Sequence, residues 1–211
     1  MQHTNESRQG INPLLSIHGG VNKGGIVENT DMEVVAGAEA DAFSGATRTG
    51  FSAGFRASIP VGKNALETGI NYMMNSQTFT YNDDVNGFNG KRDINTYQVI
   101  LPVTWNLRLL RNNHPEGLIH LKFGGALQFN QLLVITNHSL ELPDNNSNLF
   151  SGGVTLGLTI FPVSFDNGTR LGLYVDGYRG SQIYKDYYNQ PEFEVPGSSY
   201  SRFGIVYQFG N

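Results

Sequence analysis

Seven ionisable residues of this chain stand at positions that alternate with apolar residues. Lys122, for example, lies between Leu121 and Phe123. Because successive side chains of a β-strand point to opposite faces of the sheet, these groups would share one face and the apolar residues the other. Inside a barrel such charges could form a gate, a proton site or a salt-bridged plug, and we predict the plug because buried charges need partners. The seven residues are Arg56, Glu67, Arg108, His120, Lys122, Asp176 and Arg202.

A weaker chemical pattern runs from residue 82 to residue 93. Oxygen-bearing side chains stand at its first, third, fifth and twelfth positions, which are Asn82, Asp84, Asn86 and Asp93, and a glycine stands at the sixth. This spacing loosely resembles a calcium-binding loop, but the first ligand is Asn, the last is the shorter Asp, and no flanking helices are predicted. A solvated turn-rich loop is the favoured interpretation, and the sequence predicts no metal and no cofactor.

Catalysis by a nucleophile needs a base and an orienting group beside it. No serine and histidine fall on neighbouring inward positions near the longer connections, where small barrel lipases and acyltransferases keep their sites. His138 and Ser139 are adjacent in a predicted loop, so an extended backbone would point their side chains to opposite sides. The sequence therefore predicts that the protein is not an enzyme.

The elements that must position the seven charges are eight stretches that alternate apolar and polar residues. They lie near 14–22, 48–61, 65–81, 98–109, 118–134, 153–160, 171–178 and 202–209. Short turn-forming segments join some of them, near 62–64, 111–117 and 166–168, and longer polar segments cover 23–47, 82–94, 135–149 and 184–198. This rhythm predicts an all-β fold, an eight-stranded antiparallel up-and-down transmembrane β-barrel. We expect residues 13–211 to form this single domain after an N-terminal tail over residues 1–12.

Composition narrows the class of protein. Only 15% of the 211 residues are charged, the net charge is −4, and there is no cysteine. About 25% charged residues is typical of soluble chains, and the mild net charge gives no reason to expect nucleic acid as a partner. The 26 glycines, 13 phenylalanines and 10 tyrosines suit β-structure. The chain contains no run of eighteen apolar residues, so no transmembrane helix is predicted. This criterion does not detect a membrane β-barrel, whose strands face lipid only at every second residue.

The polar face of the strands decides between two kinds of barrel. In a soluble lipocalin-like barrel the apolar face would point inward, and the outer face, exposed to water, would be charged. Here the polar face is mostly Gly, Ser, Thr, Asn and Gln, with a few charges of both signs, which suits a filled polar lumen inside a lipid-facing wall. The sequence therefore predicts a bacterial outer-membrane barrel whose short turns and both termini are periplasmic. Its N-terminus has no apolar segment, so we expect a secretory signal to have been removed.

Four motifs resemble the small outer-membrane β-barrel proteins of Bacteroidetes, often called PorT-like. They are Gly-Phe-Ser-Ala-Gly-Phe at 50–55, Ala-Leu-Glu-Thr-Gly-Ile-Asn-Tyr at 65–72, Ile-Leu-Pro-Val at 100–103, and the aromatic ending Phe-Gly-Ile-Val-Tyr-Gln-Phe at 203–209. The resemblance extends from about residue 14 to the C-terminus and implies the barrel fold, with no catalytic residue carried over. In contrast to the usual terminal aromatic residue, Gly210 and Asn211 follow Phe209.

These observations lead to one expected function and two alternatives. We expect a non-catalytic structural or partner-binding role in the outer membrane, as in a subunit of an outer-membrane assembly. A narrow pore for ions or small solutes is the first alternative, and a lipid-modifying barrel enzyme is the weaker one. The expected partners are outer-membrane lipids, including lipopolysaccharide, and other outer-membrane or periplasmic proteins.

Overall fold

A computed structural model describes residues 12–27, 33–35, 38–43, 47–83, 88–111, 116–138, 149–182 and 197–210. No helix in this part of the chain is long and apolar enough to cross a membrane. The described residues form ten strands: β1 (Leu14–Val27), β2 (Glu33–Val35), β3 (Ala38–Phe43), β4 (Thr47–Val61), β5 (Asn64–Asp83), β6 (Phe88–Leu109), β7 (Ile119–His138), β8 (Phe150–Ser164), β9 (Arg170–Gln182) and β10 (Gly197–Gln208).

Eight of these strands close into an antiparallel barrel. The strands pair in the order β5-β4-β1-β10-β9-β8-β7-β6, and β5 also pairs with β6, which closes the sheet on itself. The first and last long strands are neighbours, with Ile17 opposite Tyr207. The predicted eight-stranded barrel is therefore confirmed.

The two faces of the barrel separate apolar from polar side chains. In β10 the inward Arg202 and Gln208 are buried, while the outward Phe203 and Ile205 are more than half exposed, at 56% and 55%. The same alternation holds along β1, where His18 is buried and Ile17 is exposed. Large apolar residues exposed over the whole circumference are typical of a lipid-facing wall.

The short connections meet at one end of the barrel, here called the short-connection end. A tight turn at Gly62 and Lys63 joins β4 to β5, and its glycine has a left-handed φ of 61° that favours glycine. The β8 to β9 turn also carries a left-handed glycine, Gly168, with φ of 80°. The opposite end, where the longer connections lie, is called the long-connection end.

The prediction of a polar loop over 82–94 is wrong for most of that segment. β5 continues to Asp83 and β6 begins at Phe88, and the two strands stay paired from Thr78 opposite Asp93 up to their tips. Backbone hydrogen bonds between paired strands form whether or not the side chains alternate between apolar and polar. Polarity in the sequence therefore did not mark the end of the strand.

The predicted long connection over 23–47 also needs correction. β1 continues to Val27, and two short strands follow, of which β3 pairs with β5 from Asp41 to Phe43 and β2 pairs with β3. Similarly, β7 continues to His138, which was expected in a loop. These extensions lie beyond the apolar stretches, for the same reason as in β5 and β6.

Candidate functional site

A cluster of ion pairs in the lumen centres on Asp176 of β9. Arg202 lies opposite it on β10, and its guanidinium donates from Nε to Oδ1 at 2.6 Å and from Nη2 to Oδ2 at 2.9 Å. Arg56 of β4 donates from Nη2 to the same Oδ2 at 3.0 Å. One carboxylate thus holds two guanidinium groups, and the Arg202 pair has the two-bond geometry of strong Arg–carboxylate contacts.

Glu67 of β5 is the second carboxylate of the cluster. Lys122 of β7 donates from Nζ to both carboxylate oxygens, at 2.8 Å and 2.9 Å. Arg56 approaches from the neighbouring strand, with Nη1 3.7 Å from Oε1. Asn106 of β6 donates from Nδ2 to Oε2 at 3.5 Å. Arg56 therefore lies between the two carboxylates and joins their ion pairs into one chain.

These five residues form what we call the lumen charge network: Arg56, Glu67, Lys122, Asp176 and Arg202. Two strands, β1 and β10, separate β4 from β9 in the barrel wall, so the contact between Arg56 and Asp176 crosses the lumen. All five side chains are at most 9% exposed. Three cations face two carboxylates, and removing a partner from such a buried set typically costs about 3–5 kcal/mol.

Little open space remains around the network. Its five side chains, with Pro102, Thr104, Thr155 and Gly157, line a cavity of about 20 Å³. That is room for about one water molecule. The Arg56 guanidinium also lies over the ring of Tyr174, 5.2 Å from its centroid, and Arg202 lies 5.6 Å from that of Tyr200. Side chains therefore fill the lumen at this level.

A second set of contacts lies nearer the short-connection end. Arg108 of β6 pairs with Glu116 and donates to the hydroxyl of Ser58 at 3.3 Å. Arg170 of β9 donates to the Gly117 carbonyl. Both arginines thus hold the connection between β6 and β7 against the barrel mouth, and the Arg170 guanidinium also lies 4.1 Å from the ring centroid of Phe161.

His120 of β7 joins the two levels. Its Nε2 donates to the Glu116 carbonyl at 2.8 Å, and Asn106 donates from Nδ2 to its Nδ1 at 3.2 Å. The tautomer with a proton on Nε2 accounts for both contacts. Since Asn106 also donates to Glu67, His120 reaches the lumen charge network through one amide.

Toward the long-connection end the lumen is crossed by neutral hydrogen bonds instead. Asn75 donates to Gln98 at 3.2 Å, and Gln98 and Gln128 both donate to Asn130, at 3.3 Å and 2.7 Å. Two further side chains extend this series at its ends, Asn22 donating to Asn75 and Ser198 to Gln128. We call the six residues the amide chain: Asn22, Asn75, Gln98, Gln128, Asn130 and Ser198.

Apolar and aromatic side chains also occupy the lumen. The rings of Tyr178 and Tyr200 stack with centroids 5.0 Å apart and an interplanar angle of 16°. They cluster with the buried Met73, Ile100 and Ala126. Tyr178 and Tyr200 are the next inward residues after Asp176 and Arg202 on the same two strands. Bulky aromatic side chains therefore fill the lumen directly beside the ion pair.

The structure brings together most of the predicted charges, with one separation. Five of the seven form the lumen charge network, and His120 reaches it through Asn106. Within the described residues, Arg108 does not contact the network. It pairs instead with Glu116, which lies in the connection between β6 and β7 at the short-connection end.

Sequence reasoning missed several inward residues. Arg170 continues the inward series of β9 two residues before Gly172, so the period-two pattern could have found it. Asn106 and the amide chain fall on the same polar face, but neutral side chains give no signal of pairing. Glu116 lies in a connection outside any alternation, and no pattern marked it.

Two of the four predicted calcium ligands lie in described strands. Asn82 lies in β5 opposite Asn89, and Asp93 lies in β6 opposite Thr78, whose hydroxyl donates to Asp93 at 2.5 Å. Asp84 and Asn86 lie outside the described residues. Asn82 and Asp93 therefore lie four residues apart along the hairpin, and the calcium-binding loop stays a prediction.

A comparison with solved structures finds the same fold. The crystal structure of the outer membrane protein OprG from Pseudomonas aeruginosa matches with a TM-score of 0.50 over 95% of this chain and 98% of that chain, at 11% sequence identity. No protein-family model matches the chain, and no curated protein does.

The chain therefore has the closed eight-stranded fold of an outer-membrane β-barrel. At 11% identity the likeness concerns the fold alone. The resemblance to the PorT-like barrels of Bacteroidetes is supported as far as this fold and no further.

Proposed function

We propose that this protein is an outer-membrane barrel with a closed lumen that serves a structural or partner-binding role. The observation that carries this proposal is the lumen charge network, which crosses the barrel from β7 to β9 and β10. A solute would have to break ion pairs between buried groups, and each unpaired charge would then cost several kcal/mol. A barrel held shut in this way acts on other molecules through its wall, its rim or its connections.

The location in the outer membrane is part of the same proposal. The exposed apolar wall suits lipid, and bacterial outer-membrane barrels have short periplasmic turns and longer outer loops. Both described chain ends and the short connections lie at one end, so we place that end in the periplasm. An origin from Bacteroidetes fits the four motifs at 50–55, 65–72, 100–103 and 203–209.

Orientation has a direct test, because the chain contains no cysteine. Asn167→Cys introduces a thiol at the short-connection end, and Asn146→Cys introduces one between β7 and β8. We expect a membrane-impermeant maleimide to label Asn146→Cys on intact cells and to label Asn167→Cys only after the cells are opened. Labelling of Asn167→Cys on intact cells would reverse the orientation.

A closed lumen is tested by planar-bilayer recording of the purified barrel. We expect no steady conductance, with an open porin in the same bilayer system as the positive control. Capture of defined partners from mild-detergent membranes would then support the partner-binding role. Steady conductance in the unmutated protein would contradict the closed lumen and support the pore.

The narrow pore is the second candidate, because one observation favours it. Toward the long-connection end, some buried polar atoms have no hydrogen-bond partner among the described residues, such as Ser52 Oγ and Asn22 Oδ1. Buried polar groups are ordinarily satisfied, often by water. Water at this level would leave the charge network and the stacked rings of Tyr178 and Tyr200 as the barriers, so a pore would have to open there.

A non-catalytic role agrees with the surroundings of the described histidines. His120 contacts an amide and a backbone carbonyl, and the His18 ring packs edge-on against Tyr174 with centroids 5.4 Å apart. Neither histidine with a described side chain activates a hydroxyl, as an acyl-transferring site would need. We therefore propose no lipid-modifying activity, which an assay for acyl transfer or lipid hydrolysis by the reconstituted barrel tests.

A further inference from the structure

The outer wall of β1, β10 and β9 carries a polar, cationic patch at the upper edge of its apolar band. On β1 the outward residues Ile17 and Val21 are followed by Lys23. On β9 the outward residues Leu173 and Val175 are followed by Gly177 and then by Arg179. Lys23, Arg179 and Ser201 are exposed and Ser199 is partly exposed. We call these four residues the wall patch.

Strand register brings the four residues together. Lys23 lies opposite Ser201, and Ser201 lies opposite Gly177 on the far side of β10. Arg179 lies opposite Ser199, one outward row higher. With strands about 4.8 Å apart and a rise of about 3.3 Å per residue, the Cα atoms of the two cations are about 12 Å apart. Within the described residues, neither cation has an ion pair.

An apolar hollow lies directly below Arg179. It measures about 240 Å³ and is lined by Leu121, Leu156, Gly157, Leu158, Val175, Asp176, Gly177 and Ser201. The hollow exists because Gly177 has no side chain: a Cβ there would meet only the Tyr200 carbonyl oxygen, at 3.8 Å. Because Gly177 faces lipid and has no side chain, the space beside it can hold part of a lipid molecule.

We propose that the wall patch and the hollow form a site for lipid A, the phosphorylated and acylated anchor of lipopolysaccharide. Lysine and arginine beside serine hydroxyls bind phosphate through charge-assisted hydrogen bonds, and the hollow accepts an acyl chain. Two separate cations in one patch can each bind one phosphate of a lipid that carries two. The choice of lipid A rests on the proposed function, which places this end of the barrel in the outer leaflet.

The test uses the purified, folded barrel in detergent micelles and native mass spectrometry, which counts retained lipid. The probes are lipid A, lipid A without its phosphates, and phosphatidylglycerol. We expect lipid A to be retained most strongly, and Lys23→Gln and Arg179→Gln each to weaken it about fivefold, since a membrane-surface cation contributes about 1 kcal/mol. Lys63→Gln, an exposed lysine at the short-connection end, is the matched control and should bind as the unmutated protein does.

Two further variants separate the parts of the site. Gly177→Leu fills the hollow in open space and should weaken lipid A retention with no loss of fold, which heat-modifiable gel migration checks. Arg179→Lys keeps the charge and should retain lipid A even if Arg179→Gln fails to fold. Equal retention by the unmutated protein and both glutamine variants would overturn the proposal, as would equal retention of phosphate-free lipid A or of phosphatidylglycerol. Because binding in micelles needs neither orientation nor a closed lumen, its failure would leave the labelling and conductance tests untouched.

Discussion

The lumen charge network and the amide chain both cross the barrel, but different physics holds them. The network sets three buried cations against two carboxylates, and each group depends on its partners to offset the cost of leaving water. The amide chain joins neutral groups at 2.7–3.3 Å, and water can replace such bonds at small cost. The comparison indicates that the ion pairs of the network hold the lumen closed more strongly than the neutral contacts of the amide chain do.

The largest effect should come from removing the carboxylate that holds two arginines. Asp176→Asn keeps the side-chain shape but leaves Arg202 without a countercharge and Arg56 with Glu67 alone, so we expect about 3–5 kcal/mol of destabilisation. Urea unfolding in lipid vesicles, followed by Trp105 fluorescence, measures it. Asp166→Asn in the exposed β8 to β9 turn is the control, with an expected change within about 0.5 kcal/mol. Equal effects of the two variants would show that the network ion pairs contribute nothing.

A double-mutant cycle should sharpen the same point. Glu67→Gln and Lys122→Met each strand a charge in the lumen, whereas the double variant removes both partners of the 2.8 Å contact. We expect the double variant to be more stable than the sum of the single effects predicts, by about 1–3 kcal/mol. Strict additivity in the unfolding measurements would mean that the two groups do not interact.

A neutral replacement in the amide chain should cost less. Gln98→Met removes the acceptor for Asn75 and one of the two donors to Asn130, and we expect about 1–2 kcal/mol of destabilisation because a buried polar group is left with fewer hydrogen bonds. The measurement is again unfolding in vesicles, with outward Val99→Met on the same strand as the size-matched control. A cost as large as that of Asp176→Asn would remove the distinction between the two regions.

The smallest effect should come from the rim. Glu116 pairs with Arg108, but its side chain is 39% exposed, so solvent screens the pair. Glu116→Gln should destabilise the barrel by at most about 1 kcal/mol, and added salt should shrink the difference. A larger, salt-independent loss would place this pair with the buried network.

The fold, and the face of the sheet on which a strand residue lies, could be predicted from the sequence. Period-two alternation placed Glu67, Lys122 and Arg202 on the polar face, and the rhythm of long and short connections predicted closure into eight strands. The sequence pattern could not predict which charged residues form ion pairs. A contact such as that of Arg56 with Asp176, 120 residues apart in the chain, depends on the barrel diameter and the strand stagger.

Strand ends and connections were harder for a related reason. Backbone pairing continues where the apolar alternation ends, so β5 and β6 extend beyond the predicted ends. Glu116 entered the site from a connection where no periodicity exists. The outward Lys23 and Arg179 followed the polar end of their strands, but only the register across β10 showed that they share one patch.

The central claim, that the charge network closes the lumen, is tested most directly by emptying each region in turn. Both variants carry Tyr178→Ser and Tyr200→Ser, which remove the stacked rings beside the network. One of them also replaces Arg56, Glu67, Lys122, Asp176 and Arg202 with serine, and the other also replaces Gln98, Gln128 and Asn130 with serine. Planar-bilayer recordings of both, after heat-modifiable migration has shown that they are folded, should give steady conductance for the first and none for the second. A silent network variant together with a conducting amide-chain variant would contradict the account.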